Sequence, residues 1–310
     1  MALTGSVSRK IAGEMVAIDD RRNGWRYLVL PIAQEDELVN DAVLSAAAFH
    51  FSVNVNAQFL DPGAVYQSAI RKLRLRQDMT CYNVVEQQKI LLSLLVLLVA
   101  AVVSGSSDFR TIFGLLEGAL YALGGEDRIS HGELGRFVVW QIRKYRGWVS
   151  PHLSLEHGVK RLHQSVTKPY KSDGWEDISQ GCLLYPKFES SWSLIYKLNE
   201  QACNIYVMRA LAEPGTPPYT DLVDRFINTL ELLPPDSPGM YLVPFTIFLA
   251  AAESSEVTQH ELFENVLLEH SKRTGFANLP LALRFLREIW SGSRYLAWTE
   301  AFTKLPVFVV

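Results

Sequence analysis

"KILLSLLVLLVAAVVSG", Lys89 to Gly105, is the most hydrophobic stretch of the chain. Whether it crosses a membrane, directs secretion or fills a core decides the fold. A transmembrane helix needs roughly 20 apolar residues to cross about 30 Å of hydrocarbon. The run Ile90 to Val103 offers about 14, which at about 1.5 Å per residue falls short by about a third. It also lies far from the N-terminus, and the opening "MALTGSVSRKIAGEM" has no apolar segment followed by a small-residue cleavage site. The run therefore reads as a helix that is apolar all round and enclosed on every side. The chain is expected to have no membrane partner, not to be secreted, and to work in the nucleus or cytoplasm.

The totals agree with a globular protein. The 310 residues are 48% hydrophobic, enough to bury one large core or two smaller ones. Cys81, Cys182 and Cys203 are odd in number and far apart, so sequence-local spacing builds neither a disulfide framework nor a zinc module. A reducing compartment fits. With 30 basic against 33 acidic side chains, the surface is poorly suited to displacing counterions from a polyphosphate, and direct nucleic-acid binding is disfavoured.

Helical periodicity extends outward from the central run. Leu38, Val39, Ala42, Val43, Ala46, Ala47 and Phe49 follow the i, i+3, i+4 rhythm of a buried face. Asp61 and Pro62 mark a helix start, as N-cap and first helical residue. "VPFTIFLAAAESS" is a second all-round apolar helix with Pro244 in its first turn, and Ala282, Phe285, Leu286, Ile289 and Trp290 form a stripe that ends at Gly292. Helices are predicted at roughly 36–51, 62–77, 83–104, 108–123, 131–146, 190–211, 219–232, 241–253, 258–274 and 280–291. The fold class is all-α: a single multi-helix domain over 1–310 with a central, fully apolar helix. Residues 1–24 are expected to be flexible and 147–189 mostly loop, because Gly, Pro and Ser punctuate "SVTKPYKSDGWEDISQGCLLYPKF".

Few side chains carry legible chemistry. "LGGEDR" is a helix stop rather than a phosphate cradle, and His131-Gly132-Glu133 lacks the second histidine of a zinc protease helix. His152, His157 and His163 sit at spacings that put them on different helix faces, and solvent exposure is expected for them. The basic run "IRKLRLRQ" reads as the wet side of an amphipathic helix. His50 closes an alanine-rich helix, either as a hydrogen-bonded core residue or as the wall of a pocket. Glu117, in a mostly apolar helix, is the candidate enclosed carboxylate. Trp192, Tyr196 and Asn199 combine aromatic bulk with polar tips on one face, as ligand-binding walls and packed cores both do. A cavity, if present, is expected between the His50 helix, the Glu117 helix and the Trp192 to Asn199 face. No metal or cofactor is implied.

In order, the blocks "NGWRYLVLPIAQEDELVNDAVLSAAAFHF", "YQSAIRKLRL", "ILLSLLVLLVAAVVSGSSDFRTIFGLLEGAL", "SWSLIYKLNEQACNIYV", "YLVPFTIFLAAAESSEVTQHELFENVL" and "ALRFLREIWSGSRYLAWTEAF" resemble the fungal-specific transcription factor domain that follows the zinc cluster in many fungal regulators. Leu286, Trp290 and Trp298 stand where the family tends to close with Leu and Trp. The resemblance implies an all-α domain that regulates activation, senses small molecules and frequently serves metabolic gene clusters. The family's zinc cluster needs six clustered cysteines, which this sequence lacks, and Phe109 and Phe113 stand where the family often has Trp and His. Three readings follow. The chain is a regulatory fragment, a stand-alone relative that regulates through protein partners of the transcription machinery, or an enzyme. As an enzyme it would rearrange a small apolar metabolite without a cofactor, with His50 or Glu117 moving a proton. With no nucleophile–base pair legible, the regulatory reading leads.

Overall fold

The computed structural model describes residues 10–55, 61–167, 185–292 and 297–310, and among them every regular element is a helix. They fall into two compact units, one within Met1–Arg143 together with Thr274–Asn278, the other Lys144–Arg273 with Leu279–Val310.

In the first unit the helices are α1 (Gly24–Tyr27), α2 (Val29–Glu35), α3 (Glu37–Val55), α4 (Pro62–Leu75), α5 (Val84–Ser104), α6 (Phe109–Ala122), α7 (Glu126–Ile129) and the first half of α8 (Gly132–Leu153). The opening stretch lies in α5, the centre of this unit. Asn83 caps its start by accepting from Glu86 N, and Gly105, at φ 69°, closes its end in the left-handed conformation. Ser106 N donates to Ala101 O and Gly105 N to Val102 O, the paired bonds of a Schellman stop. At 21 residues α5 is long and apolar enough to cross a membrane by length and composition, more than the 14-residue apolar run indicates, yet 89% of its apolar window is buried inside the protein. Two buried polar side chains near its N-terminal end donate to backbone carbonyls: Gln87 to Met79 O and Tyr82 O, Gln88 to Ile129 O and His131 O.

Helices α3 and α4 pack as an ion-paired couple. Asp36 accepts from the Leu38 and Val39 amides at the start of α3 and pairs with Arg76 at 2.7 Å, while Lys72 reaches Asp41 at 2.9 Å and Glu37 at 3.3 Å. The basic face of α4 is thus partly engaged with the acidic start of α3, while Arg71 and Arg74 point to solvent. The expected flexibility of 1–24 needs correction from residue 10 onward, for residues 1–9 lie outside the described set. Ile11, Ala12 and Met15 are buried, and Asn23 Nδ2 donates to Ala12 O at 2.9 Å, which fastens this segment to α1.

The second unit contains the rest of α8, α9 (Leu155–Thr167), α10 (Glu189–Ala210), α11 (Thr220–Leu230), α12 (Val243–Glu253), most of α13 (Val257–Thr274) and α14 (Asn278–Trp290), and α15 (Trp298–Phe302). All eleven residues of α12 are buried. Around it gathers an aromatic core in which Phe302 meets Phe245 and Phe248 edge-on, with His152 tilted against Phe302 at 4.5 Å. His152 is therefore a core residue, contrary to its expected exposure, whereas His157 and His163 are exposed as expected.

The expectation that 147–189 is mostly loop is overturned for 147–167. Helix α8 continues through Pro151 to Leu153, and Ser154 then starts α9, its Oγ accepting from His157 N at 3.1 Å. Gly158, on α9, is required by close packing: a Cβ there would lie 2.3 Å from the Tyr206 hydroxyl and 3.0 Å from Pro151 Cα. Residues 168–184, with Cys182, lie outside the described set.

Candidate functional site

The polar centre of the second unit is Glu253, the last residue of α12. Its side chain is 1% exposed, and both carboxylate oxygens are fully used. Oε1 accepts from Arg209 Nη2 at 2.5 Å and from Tyr219 N at 2.8 Å; Oε2 accepts from Arg209 Nε at 2.9 Å and from Trp298 Nε1 at 2.7 Å. One buried carboxylate thereby ties together the ends of α10 and α12 and the starts of α11 and α15. A buried charge is tolerable only when paired and hydrogen-bonded in this way. Arg209 also donates to Thr216 O at 2.9 Å and Pro217 O at 2.7 Å, holding the strap Glu213–Pro218 against the junction, and its guanidinium stacks 4.9 Å from the Tyr219 ring. The paired Glu253 carboxylate raises the Arg209 pKa above its usual value.

Beside this junction opens a cavity of about 640 Å³, with Arg209 and Glu253 in its wall and the strap at its edge. Trp290 and His260 also line it. Their rings stack at 4.2 Å and 13°, oriented by hydrogen bonds to the end of α12: Trp290 Nε1 donates to Ala251 O at 2.8 Å, His260 Nε2 to Ser254 O at 3.1 Å. The remaining wall mixes small apolar residues with exposed Glu213 and Glu300. Residues 293–296, which follow lining residue Gly292, lie outside the described set. The volume falls in the range of small-molecule pockets. Among the described residues, no three His, Cys, Asp or Glu side chains converge as a metal site requires.

The side chains singled out from sequence lie elsewhere. His50, in the first unit, is buried; its Nε2 donates to Thr274 O at 3.0 Å and its ring meets Phe276 edge-on. Glu117 is half-buried on α6, more open than the enclosed carboxylate expected. In the second unit, Trp192 is fully buried against Phe188 and Asn199 accepts from Cys203 Sγ, with Tyr196 half-buried between them. None of the five lines this cavity or the second one, a polar groove of about 620 Å³ at Lys197, Gln201 and Arg225. Burial, with the charge of Glu200 adding to it, pushes the Cys203 thiol up to about 12, so it is a packing residue and not a nucleophile. In the sequence Trp290 stands out as part of an apolar stripe and, with Trp298, as a position of resemblance, whereas Glu253 does not stand out. The available signal was an acidic residue closing an all-apolar helix.

These features define an all-helical protein with a small-molecule-sized cavity built on a buried ion-pair junction. A family model described as fungal specific transcription factor domain matches residues 8–143 and 154–304, and the chain belongs to that family. Searches of curated proteins and of solved structures gave no match. Membership in the family points to a regulatory role.

Proposed function

We propose that the chain is a ligand-responsive regulatory domain of a fungal transcription regulator, acting in the nucleus, with no DNA reader of its own. A small molecule occupying the cavity of the second unit alters the strap and α15, and through them the engagement of partner proteins of the transcription machinery. Regulation of a secondary-metabolite gene cluster is the setting this reading favours.

The observation that carries the proposal is the position of Glu253. It forms part of the cavity wall and at the same time makes four hydrogen bonds to three other segments, at Arg209, Tyr219 and Trp298. A ligand pressing on that wall has differential contacts with any rearrangement of those segments, which is what a population shift needs. The test is a reporter in a fungal host, with the chain fused to a heterologous DNA-binding module. Reporter output is expected to change when fractionated fungal metabolites are supplied. Ser255→Trp, an exposed substitution at the cavity wall, is expected to abolish the response while leaving the melting temperature unchanged. Output indifferent to every fraction, or a response equal in Ser255→Trp, refutes the reading.

A further inference from the structure

We infer that the cavity of the second unit takes a small organic cation, a protonated or quaternary amine carried on an apolar body. This deepens the ligand-responsive reading above and rests on it.

Three independent features of the wall point to positive charge. The first is the balance of described charged residues. Arg209 is neutralised by Glu253, and four of its N–H donors are already spent on Glu253, Thr216 O and Pro217 O. Glu213 and Glu300, both exposed at the wall, have no ion-pair partner among the described residues. An anionic ligand would meet two carboxylates and a guanidinium with a single N–H left to offer. The second is the end of α12, which supplies Ala252, Glu253 and Ser254 to the wall. The C-terminal turn of a helix carries partial negative charge that favours cations. The third is the stacked pair Trp290 and His260, with Trp298 nearby in the same wall. An indole is the best aromatic surface for a cation, and the ring planes are fixed by their bonds to Ala251 O and Ser254 O. The small apolar residues Ala210, Ala212, Ala252 and Ile289 give the ligand's body a non-polar bed.

The size argues for a free small molecule over a side chain presented by a protein, since about 640 Å³ matches a drug-sized ligand. Isothermal titration of the full chain with three matched probes tests the inference: tryptamine as cation, indole-3-propionate as anion and 3-ethylindole as neutral body. Tryptamine is expected to bind about tenfold or more tighter than the anion, from the cation–π contact and the two carboxylates together. The margin is expected to shrink at high salt and in Glu213→Gln/Glu300→Gln, whose surface substitutions leave the fold intact. Binding is expected to vanish in Ser255→Trp.

Indole-3-propionate binding as tightly as tryptamine overturns the cation assignment and leaves the ligand-responsive reading standing. Tryptamine binding that persists in Ser255→Trp, or no binding of any probe, also overturns it. The parent reading falls separately, when the reporter responds to no metabolite fraction.

Discussion

Replacing Glu253 by Gln keeps the shape of the side chain and removes only its charge and one acceptor. Each carboxylate oxygen accepts two donors, Arg209 Nη2 and Tyr219 N on one, Arg209 Nε and Trp298 Nε1 on the other. Whichever way the amide turns, its NH2 faces two N–H groups. Hydrogen bonds to a charged group are worth about 1.5–3 kcal/mol each, so two of them lost come to about 3–6 kcal/mol. Removing one partner of a buried ion pair costs about 3–5 kcal/mol by a separate route of reasoning. The two agree at about 3–5 kcal/mol, a large part of the roughly 5–15 kcal/mol by which proteins are stable. Urea unfolding followed by tryptophan fluorescence reads this as a fall in the midpoint of about 1–2 M, taking an m-value of roughly 3 kcal/mol/M. Arg209→Met combined with Glu253→Leu is expected to be milder than either single change, because no charge is left buried alone. A Glu253→Gln variant within about 1 kcal/mol of the parent refutes the view of this junction as the brace of the second unit.

Leu95→Ala, at a fully buried position of α5, is expected to cost about 2–5 kcal/mol by the same urea measurement, and a loss under about 1 kcal/mol contradicts the core assignment. Burial, then the Arg273 charge, pushes His270 down to about 3 from a usual 6.5. The unfolded chain therefore takes up a proton below pH 6.5 that the folded chain refuses. Stability from this residue is fully present above pH 6.5 and falls by up to about 1.4 kcal/mol per pH unit as pH drops toward 3. His270→Gln is expected to flatten that part of the pH–stability curve, and an unchanged slope refutes the assignment. Gly158→Ala drives a methyl into the Tyr206 ring and hydroxyl and is expected to lower the melting temperature, with partial recovery in Gly158→Ala/Tyr206→Phe. Gly118→Ala, where a Cβ meets nothing within 4 Å in mid-helix, is expected to raise stability by about 1 kcal/mol, and a loss would reveal a steric demand at that face.

The helices that follow local rules were legible. Asp61-Pro62 announces α4, Gly105 stops α5, and the apolar runs of α5 and α12 identify themselves as core. Helix α9 escaped because its start depends on Ser154 bonding to His157, a weaker cap pattern than Ser followed by Glu, and because Gly158 reads as a breaker until Tyr206 explains it. The division into two units leaves no mark of composition, since it falls within helices, at Arg143 and Lys144 inside α8 and at Thr274 at the end of α13. The site was illegible for a different reason. A polar residue on an apolar stripe signals burial, but burial has two outcomes. Asn199 bonds to Cys203 one turn along its own helix, and His50 to the Thr274 carbonyl 224 residues on, both in a packed core. Glu253 finds Arg209 44 residues away, a pairing that no local spacing encodes.

Native mass spectrometry of the chain purified from a fungal host tests the central claim most directly, that the cavity beside Glu253 holds a small molecule. The expected spectrum shows a protein species carrying one added mass of small-molecule size, stripped by gentle activation, and absent from Ser255→Trp purified in parallel. The same added mass on both proteins would place the ligand elsewhere, and a parent chain that stays bare after exposure to the full range of cellular metabolites would contradict the account.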